Sequence, residues 1–332
     1  MKNSPIKQSN RYVNDLRRIY FSHDQVKQRR MVLLPFTIAA LFLVIAGIYG
    51  SMSLDVASED VVMLVSAAVI GGYMALNIGA NDVANNMGPA VGGKVLTVAA
   101  AVIIAAVCES AGALLAGGDV VKTVAKGIIN PGDGVDIGDF RNLMLSALLA
   151  AALWINLATF MNAPVSTTHS IVGGVMGAGI AGAGFGLVNW TTMSKIAASW
   201  VISPVFGGLV AAGLLFLIKV KILNAQDRNQ AARRWVPVLI GLMSSAFMAY
   251  MAMKGLKKIW KPSVEVIVLY AILSFFITWF ISIPFIKKQA ENLGNRKKQI
   301  NTLFNVPLII GVALLCFAHG ANDVANAVGP LA

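Results

Sequence analysis

The chain has 332 residues, of which 57% are hydrophobic and 13% are charged, and its formal net charge at pH 7 is +12. Soluble domains usually contain about 25% charged residues, so this composition excludes an ordinary soluble domain and indicates an all-α protein that crosses a membrane several times. The basic residues lie between apolar runs, where membrane topology accounts for them, and no nucleic-acid partner is expected.

Apolar runs near the length that spans a bilayer, about 20 residues, predict about nine helices. In chain order they lie near 31–51, 61–80, 92–117, 142–161, 165–184, 193–220, 235–253, 264–286 and 303–319. Residues 1–30 are predicted to form a basic cytoplasmic tail. The run at 31–51 is too long for the apolar core of a signal peptide, so we expect it to be retained as an extra N-terminal transmembrane helix.

Lysine and arginine cluster in three segments, at residues 2–30, 219–234 and 287–298. If about nine spans alternate across the membrane, these segments lie on one side, and the positive-inside rule makes that side cytoplasmic. We therefore expect a multi-pass plasma-membrane protein with a cytoplasmic N-terminus. The loop at 254–261 is also rich in lysine and would face outward, against the rule.

One motif occurs twice, near the ends of the second and the last predicted helices. The sequence Gly-Ala-Asn-Asp-Val-Ala-Asn stands at 79–85 and again at 320–326, and Gly-Pro follows each copy at 88–89 and 329–330. Polar groups at bilayer depth are costly and usually mark an ion or substrate path. The glycines and prolines are expected to break the helix and free backbone carbonyls.

The second copy ends a helix that comes seven predicted spans after the helix of the first copy, and this odd step inverts the second copy relative to the first. Inverted repeats with a shared polar site are typical of secondary transporters. The side chains suit a cation and an oxyanion: Asp82 and Asp323 offer carboxylate oxygens to a cation such as sodium. Four asparagines offer amide oxygens and N–H donors; they are Asn81, Asn85, Asn322 and Asn326. A repeated helix cap is the alternative, but caps belong at the membrane interface.

A second polar cluster, Asn-Ala-Pro-Val-Ser-Thr-Thr-His-Ser, occupies residues 162–170 between the fourth and fifth predicted helices. Pro164 suits the first turn of a helix. It would place the hydroxyls of Ser166, Thr167 and Thr168 beside free N–H groups at the positive end of that helix. Such a helix start can bind phosphate or sulfate, and on this cluster alone an ordinary N-cap is an equal alternative.

These segments, together with Cys108-Glu109-Ser110-Ala111-Gly112, resemble the inorganic phosphate transporter (PiT) family of sodium- or proton-coupled phosphate symporters over about residues 60–332. The resemblance implies inverted repeats with about twelve spans. It implies that the motif aspartates and asparagines serve sodium and phosphate, and that the Ser-Thr-Thr segment holds phosphate. It also implies that Glu109 matters for transport and that His319 lies at a position linked to function.

Five further residues are singled out by their chemistry. Glu109 lies among apolar residues, where a carboxylate needs a cation or a water path, and we expect it to act in coupling; a structural pair with a buried hydroxyl or lysine is the alternative. His169 and His319 are candidates for proton linkage, and a hydrogen-bonded helix-end histidine is an equal alternative. Cys108 and Cys316 lie in apolar spans and are expected only to pack.

The resulting domain organisation has three parts after the first helix. Residues 61–220 are expected to form the first transporter repeat, 221–302 connecting spans with basic cytoplasmic loops, and 303–332 the start of a second repeat. Counterparts of the acidic helix and of the Ser-Thr-Thr segment would lie beyond Ala332. We therefore expect the chain to be part of a longer protein.

The function expected from the sequence is cation-coupled phosphate symport with alternating access, with Na+ or H+ at Asp82 and Asp323 offsetting the phosphate charge. No cofactor is expected; membrane lipid is an expected partner, and a homodimer is left open. The alternatives are a permease for sulfate or another oxyanion and a passive anion or water pore. A hydrolase using Ser166 and His169 is disfavoured because their spacing fits one helical turn rather than an assembled triad, so the chain is not expected to be an enzyme.

Overall fold

The structure is a computed structural model, and it describes residues 34–52, 58–118, 127–129, 136–255 and 261–332. Throughout these residues the regular structure is helical, apart from an isolated antiparallel bridge between Ile129 and Val188. The prediction of an all-α membrane protein is therefore confirmed. The basic tail predicted for residues 1–30 lies outside the described residues. The chain divides into two compact units, residues 1–73 and 74–332, and every site residue discussed below belongs to the second.

The helices follow one another with short connections. They are α1 (Leu34–Met52), α2 (Ser58–Gly92), α3 (Val98–Ala116), α4 (Ile137–Phe160), α5 (Thr167–Ala183), α6 (Trp190–Ile218), α7 (Arg228–Tyr250), α8 (Val264–Glu291), α9 (Lys297–Asn301) and α10 (Asn305–Val328). Short π-helical turns, Lys219–Leu223 and Met251–Gly255, extend α6 and α7. Eight helical segments of the described chain are long and apolar enough to cross a membrane, with mean hydropathies between 1.7 and 2.5.

The structure differs from the sequence-based expectation at the fifth predicted span, 165–184. The helix there, α5, has only 17 residues, which corresponds to about 26 Å at 1.5 Å per residue. It begins late because Ser166 acts as its N-cap, and it ends at Gly184, whose φ is +82°. The described part of the chain therefore has eight helices long and apolar enough to cross a membrane, against about nine predicted.

Helices α4 and α5 form a helical hairpin. The residues before α4 and after α5 are joined, because the Asn189 N–H donates to the Ile128 carbonyl at 2.9 Å. The two helices approach closely, since a Cβ on Gly174 would lie 2.7 Å from the Ala147 carbonyl oxygen. The chain thus enters and leaves the hairpin at one end. Residues 161–166, which we call the hairpin tip, lie at the other end.

Residues 79–85 and 320–326 of the duplicated motif are helical in both copies; the break expected at the Gly-Pro pairs is wrong for the first pair, whereas α10 ends directly before the second. Helix α2 continues through Pro89 to Gly92, and α10 continues to Val328 before a short 3-10 turn holds Pro330. Pro89 lies inside α2, three residues before its end, whereas Pro330 follows the end of α10. The motif therefore presents its side chains from intact helices rather than from unwound backbone.

Helices α3 and α10 are in backbone contact. A Cβ on Gly112 would overlap the backbone of Phe317, and a Cβ on Gly320 would overlap the backbone of Glu109. A core cluster that includes Met87, Ala105 and Cys316 extends this contact to α2, with Cys108 packed against it. Both cysteines are free thiols, as expected of packing residues.

The basic ends of α6–α7 and α8–α9 lie together. The Arg228 N–H donates to Asn295 Oδ1 at 2.6 Å, and Asn229 Nδ2 donates to the Ala290 carbonyl at 2.8 Å. Buried apolar side chains of the same region, among them Val236 and Ile300, form a core cluster beneath these bonds. The basic segments 219–234 and 287–298 therefore share one end of the helices.

The close approach of α3 and α10 yields a stability prediction. In Gly320→Ala the new methyl group has to displace the Glu109 backbone, so we expect the free energy of unfolding to fall by roughly 1–3 kcal/mol. The thermal unfolding midpoint in detergent measures the effect. The control is Gly207→Ala on α6, where nothing lies within 4 Å of the added Cβ. Equal midpoints for the two variants would contradict the close contact.

Candidate functional site

The candidate site lies where α2, α5 and α10 meet. Thr167 Oγ1, in the first turn of α5, lies 3.0 Å from Asp82 Oδ2 and 2.8 Å from Asp323 Oδ2. The two aspartates are 9% and 8% exposed. The structure therefore brings together both motif aspartates and one hydroxyl of the Ser-Thr-Thr segment, three groups that are far apart in sequence.

The shared hydroxyl limits the charge state of the two carboxyl groups. A threonine hydroxyl carries one hydrogen, so Thr167 can donate to only one aspartate. Asn326 Nδ2 donates to Thr167 Oγ1 at 3.2 Å and to Thr168 Oγ1 at 3.0 Å, which occupies one acceptor position of Thr167. The second carboxylate lacks a donor from Thr167, so a proton or a bound cation between the aspartates would stabilise the arrangement.

His319 lies between the aspartates and Glu109. Its Nε2 is 3.2 Å from Asp323 Oδ2 and 3.6 Å from Asp82 Oδ2, and its Nδ1 is 3.2 Å from Glu109 Oε1. One ligand atom from each of Asp82, His319 and Asp323 lies within 4.8 Å of the others. This donor set, two carboxylates with a nearby hydroxyl and an imidazole, can hold a small cation or a proton.

Glu109 has a second partner that the sequence analysis missed. Asn86 Nδ2 donates to Glu109 Oε1 at 3.1 Å, so Glu109 is held by Asn86 and His319 rather than by a lysine or a buried hydroxyl. The signal for Asn86 was present in the duplicated motif. The first copy has Asn86 at the place where the second has Ala327.

The four motif asparagines have different surroundings. Asn81 anchors the hairpin tip: its Nδ2 donates to Thr159 Oγ1 at 2.9 Å and to the Ala163 carbonyl at 3.2 Å. Its Oδ1 accepts from the Val165 N–H at 3.1 Å. The equivalent residue, Asn322, is exposed and donates to Asp323 Oδ1 at 2.8 Å. The substrate-binding role predicted for these side chains stays a prediction, and for Asn81 the bonds to the tip take most of its capacity.

The next equivalent pair, Asn85 and Asn326, also differs. Asn85 is exposed, whereas Asn326 is buried and donates to the two threonines of the Ser-Thr-Thr segment. The same sequence in the two copies therefore faces different neighbours. Of this pair, Asn326 is the one that the structure connects to the α5 N-terminus.

Ser166 and His169 lie at the N-terminus of α5, beside the site. Ser166 Oγ accepts the His169 N–H at 3.2 Å, so Ser166 is the N-cap of α5. The His169 ring contacts the indole of Trp200, with ring centroids 3.9 Å apart. The ring of His169 thus contacts α6, whereas the ring of His319 contacts the carboxylates.

A cavity of about 540 Å³ opens beside the N-terminus of α5. Its lining residues come from α5, α6, α10 and the segment before α4; they are Ile128, Ser166, Thr168, His169, Val172, Ile196, Ser199, Trp200, Ser203, Pro204, Asn322 and Asn326. Four predicted substrate-binding residues therefore line one cavity, while Asn81, Asn85 and Thr167 do not. The α6 side of the cavity wall, which Trp200 and two serines form, was not predicted from the sequence.

Comparisons with known proteins agree with the resemblance drawn from the motifs and confirm it. A family model described as the phosphate transporter family matches residues 78–332. A Helicobacter pylori protein described as "Putative phosphate permease" is 48% identical over 90% of this chain and 56% of its own length. A Pyrococcus horikoshii protein with the same description is 37% identical over 81% of this chain and 66% of its own length.

A solved structure, described as "The sodium-dependent phosphate transporter", is also similar. Its TM-score is 0.76 at 36% sequence identity, and the match covers 82% of this chain and 66% of that chain. The chain spans about half the length, 56%, of the Helicobacter relative. The fold of the described helices therefore matches part of the chain of that solved structure.

The two equivalent asparagines Asn81 and Asn322 give a matched test of the anchor. We expect Asn81→Ala to lower the free energy of unfolding by roughly 1–3 kcal/mol, because it leaves buried groups of the hairpin tip without partners. Asn322→Ala should have a smaller effect on stability, because Asn322 is exposed. Thermal unfolding of the two purified variants measures the difference. Equal destabilisation would show that Asn81 does not anchor the tip.

Proposed function

The chain belongs to the phosphate transporter family, and we propose that the carrier containing it moves inorganic phosphate across the membrane by cation-coupled symport with alternating access. The observation that carries the proposal is the junction of Asp82, Asp323 and Thr167 beside a cavity lined by amides and hydroxyls. The family consists of transporters, which confirms the expectation that the chain is not an enzyme.

Phosphate is proposed to bind in the cavity at the N-terminus of α5. Thr168, Asn322 and Asn326 line that cavity, and the first N–H groups of a helix have no partner within it. Helix N-termini bind oxyanions through these N–H groups and the helix dipole. Among the described residues the cavity lining contains no lysine or arginine, so within this part of the chain the negative charge of phosphate has to be offset by something other than a lysine or an arginine.

The coupling cation is proposed to supply that charge. Ionised Asp82 and Asp323 would repel an anion in the adjacent cavity, and a cation held between them removes the repulsion. Sodium is the first candidate because oxygen atoms dominate the donor set and because the similar solved structure is described as sodium-dependent. A proton is the second candidate, because His319 lies between the carboxyl groups and imidazoles carry protons near neutral pH.

Sulfate transport and a passive pore are the competing functions. Asn322 donates its amide to Asp323, which leaves its Oδ1 as an acceptor at the cavity that it lines. An acceptor binds the hydroxyl of HPO₄²⁻ but finds no hydrogen on sulfate. Phosphate is therefore favoured, and uptake that collapses with the cation gradient separates symport from a pore.

The proposed orientation places the N-terminus in the cytoplasm of the cell, with the chain in the plasma membrane. The two basic segments 219–234 and 287–298 share one end of the helices, as the positive-inside rule requires. The short α5 does not change this topology, because the hairpin formed by α4 and α5 begins and ends at one level. Alternating access then follows from the inverted relation of the motif copies on α2 and α10.

The cation assignment is tested by replacing each aspartate. We expect Asp82→Asn and Asp323→Asn to abolish coupled uptake, because an amide keeps the size of the side chain but loses the charge that a cation needs. Uptake of radiolabelled phosphate is measured in proteoliposomes that contain the carrier, with sodium and pH gradients imposed separately. Asp136→Asn is the control, since Asp136 caps α4 and asparagine caps equally well. Normal uptake kinetics in both site variants would contradict the assignment of Asp82 and Asp323 as cation ligands.

The anion assignment is tested at Thr168. We expect Thr168→Val to raise the half-saturation concentration for phosphate about tenfold, because a lost bond to a charged partner costs roughly 1.5 kcal/mol. The same uptake assay at saturating cation measures it. Thr191→Val, at an exposed residue near the start of α6, is the matched control. An unchanged half-saturation concentration in Thr168→Val would mean that the Ser-Thr-Thr segment only begins a helix.

A further inference from the structure

The two copies of the motif differ at two positions that contact one carboxylate. Asn86 in the first copy corresponds to Ala327 in the second, and His319, just before the second copy, corresponds to Ile78 before the first. Asn86 Nδ2 lies 3.1 Å from Glu109 Oε1, and His319 Nδ1 lies 3.2 Å from the same oxygen. Each copy therefore contributes one polar residue to Glu109.

These contacts form a continuous path to the cation site. Asn86 of α2 bonds Glu109 of α3, Glu109 contacts His319 of α10, and the far nitrogen of His319 lies 3.2 Å from Asp323 Oδ2. Asn86 is buried, at 7% exposure. The α10 helix fixes the Glu109 backbone at Gly320, but the side chain has several rotatable bonds beyond that backbone. Asn86 is the neighbour that selects its direction.

We propose that Asn86 is a positioning residue, which holds the Glu109 carboxylate against His319 and so sets the affinity of the Asp82–Asp323 site for the coupling cation. This inference rests on the proposed function. Groups that bond the ligands of a cation site orient those ligands, and their loss typically lowers metal affinity about 10- to 100-fold. Glu109 bonds the candidate ligand His319, and Asn86 in turn holds Glu109, so the lower end of that range is expected for Asn86. The effect of Asn86 belongs to cation binding, because it is not among the residues that line the phosphate cavity.

The symmetry-equivalent pair of positions cannot hold a carboxylate in the same way. Ile78 and Ala327 occupy the positions equivalent to His319 and Asn86, and both are apolar and buried, at 6% and 5% exposure. Neither side chain can donate a hydrogen bond. The polar path through Asn86, Glu109 and His319 is therefore formed once and has no counterpart at Ile78 and Ala327.

The test replaces Asn86 by alanine, the residue at the equivalent place in the second copy. In proteoliposomes containing the carrier, we expect Asn86→Ala to raise the half-saturation concentration of the cation that drives wild-type uptake about tenfold. The half-saturation concentration for phosphate at saturating cation should change by less than about twofold, because the phosphate contacts are untouched. Asn156→Ala is the matched control, since it removes an amide bond between α4 and Asn77 of α2 that does not involve Glu109.

A double-mutant cycle separates positioning from packing. If Asn86 acts through Glu109, then Asn86→Ala has no further effect on cation affinity in the Glu109→Gln background. The sodium-induced rise in the unfolding temperature of the purified carrier gives the same cycle without requiring transport. Additive effects, or a parallel loss of phosphate and cation affinity, would overturn the proposal.

The two proposals fail in different ways. Wild-type uptake that ignores both the sodium and the pH gradient would overturn the proposed function itself. Coupled wild-type uptake together with an unchanged cation affinity in Asn86→Ala would overturn only the role of Asn86. A loss of folded protein in Asn86→Ala is detected by size-exclusion chromatography. In that case Asn86→Ser, which keeps a hydrogen-bond donor, should restore both folding and part of the cation affinity. If Asn86→Ser restores folding alone, the proposal is wrong.

Discussion

The structure depends on one unfavourable contact, the approach of two buried carboxyl groups to a single hydroxyl. Ligand atoms of Asp82 and Asp323 lie within 4.8 Å of each other, and Thr167 can donate to only one of them. Two like charges about 4 Å apart near a protein surface repel by about 4 kcal/mol. A sequence that places both aspartates at bilayer depth is stable there only if a proton or a cation accompanies them.

The surrounding fold holds the three groups in place. Asn81 bonds the hairpin tip and so fixes the start of α5, which carries Thr167. On the other side, Gly320 lets α10 approach the backbone of α3, which brings His319 to Glu109. Asn81 of the first copy and Gly320 of the second therefore hold neighbouring segments in place, whereas both copies supply an aspartate to the charged centre.

Much of this arrangement could be predicted from the sequence, because polar residues in long apolar runs are costly and have to find one another. On this ground Asp82, Asp323 and the Ser-Thr-Thr segment were predicted to form a site, and the structure places them together. It could not separate Asn81 from Asn322 or Asn85 from Asn326, because identical residues in identical motifs give identical local signals. Their different roles arise from tertiary neighbours that the sequence around them does not specify.

The expectation of a broken helix failed at the first copy of the motif. Glycine and proline disfavour a helix interior, and α10 does end directly before its Gly-Pro pair, but α2 passes through Pro89 and ends only at Gly92. The ligands available to a cation are then side chains rather than freed carbonyls. In the proposed symport, cation binding therefore depends on carboxylates, whose charge also acts on the neighbouring cavity. Phosphate alone would meet that negative charge, whereas a cation or a proton on the aspartates removes it. Phosphate then binds well only where the aspartates are loaded, and a carrier that moves phosphate only together with that cation or proton couples the two fluxes.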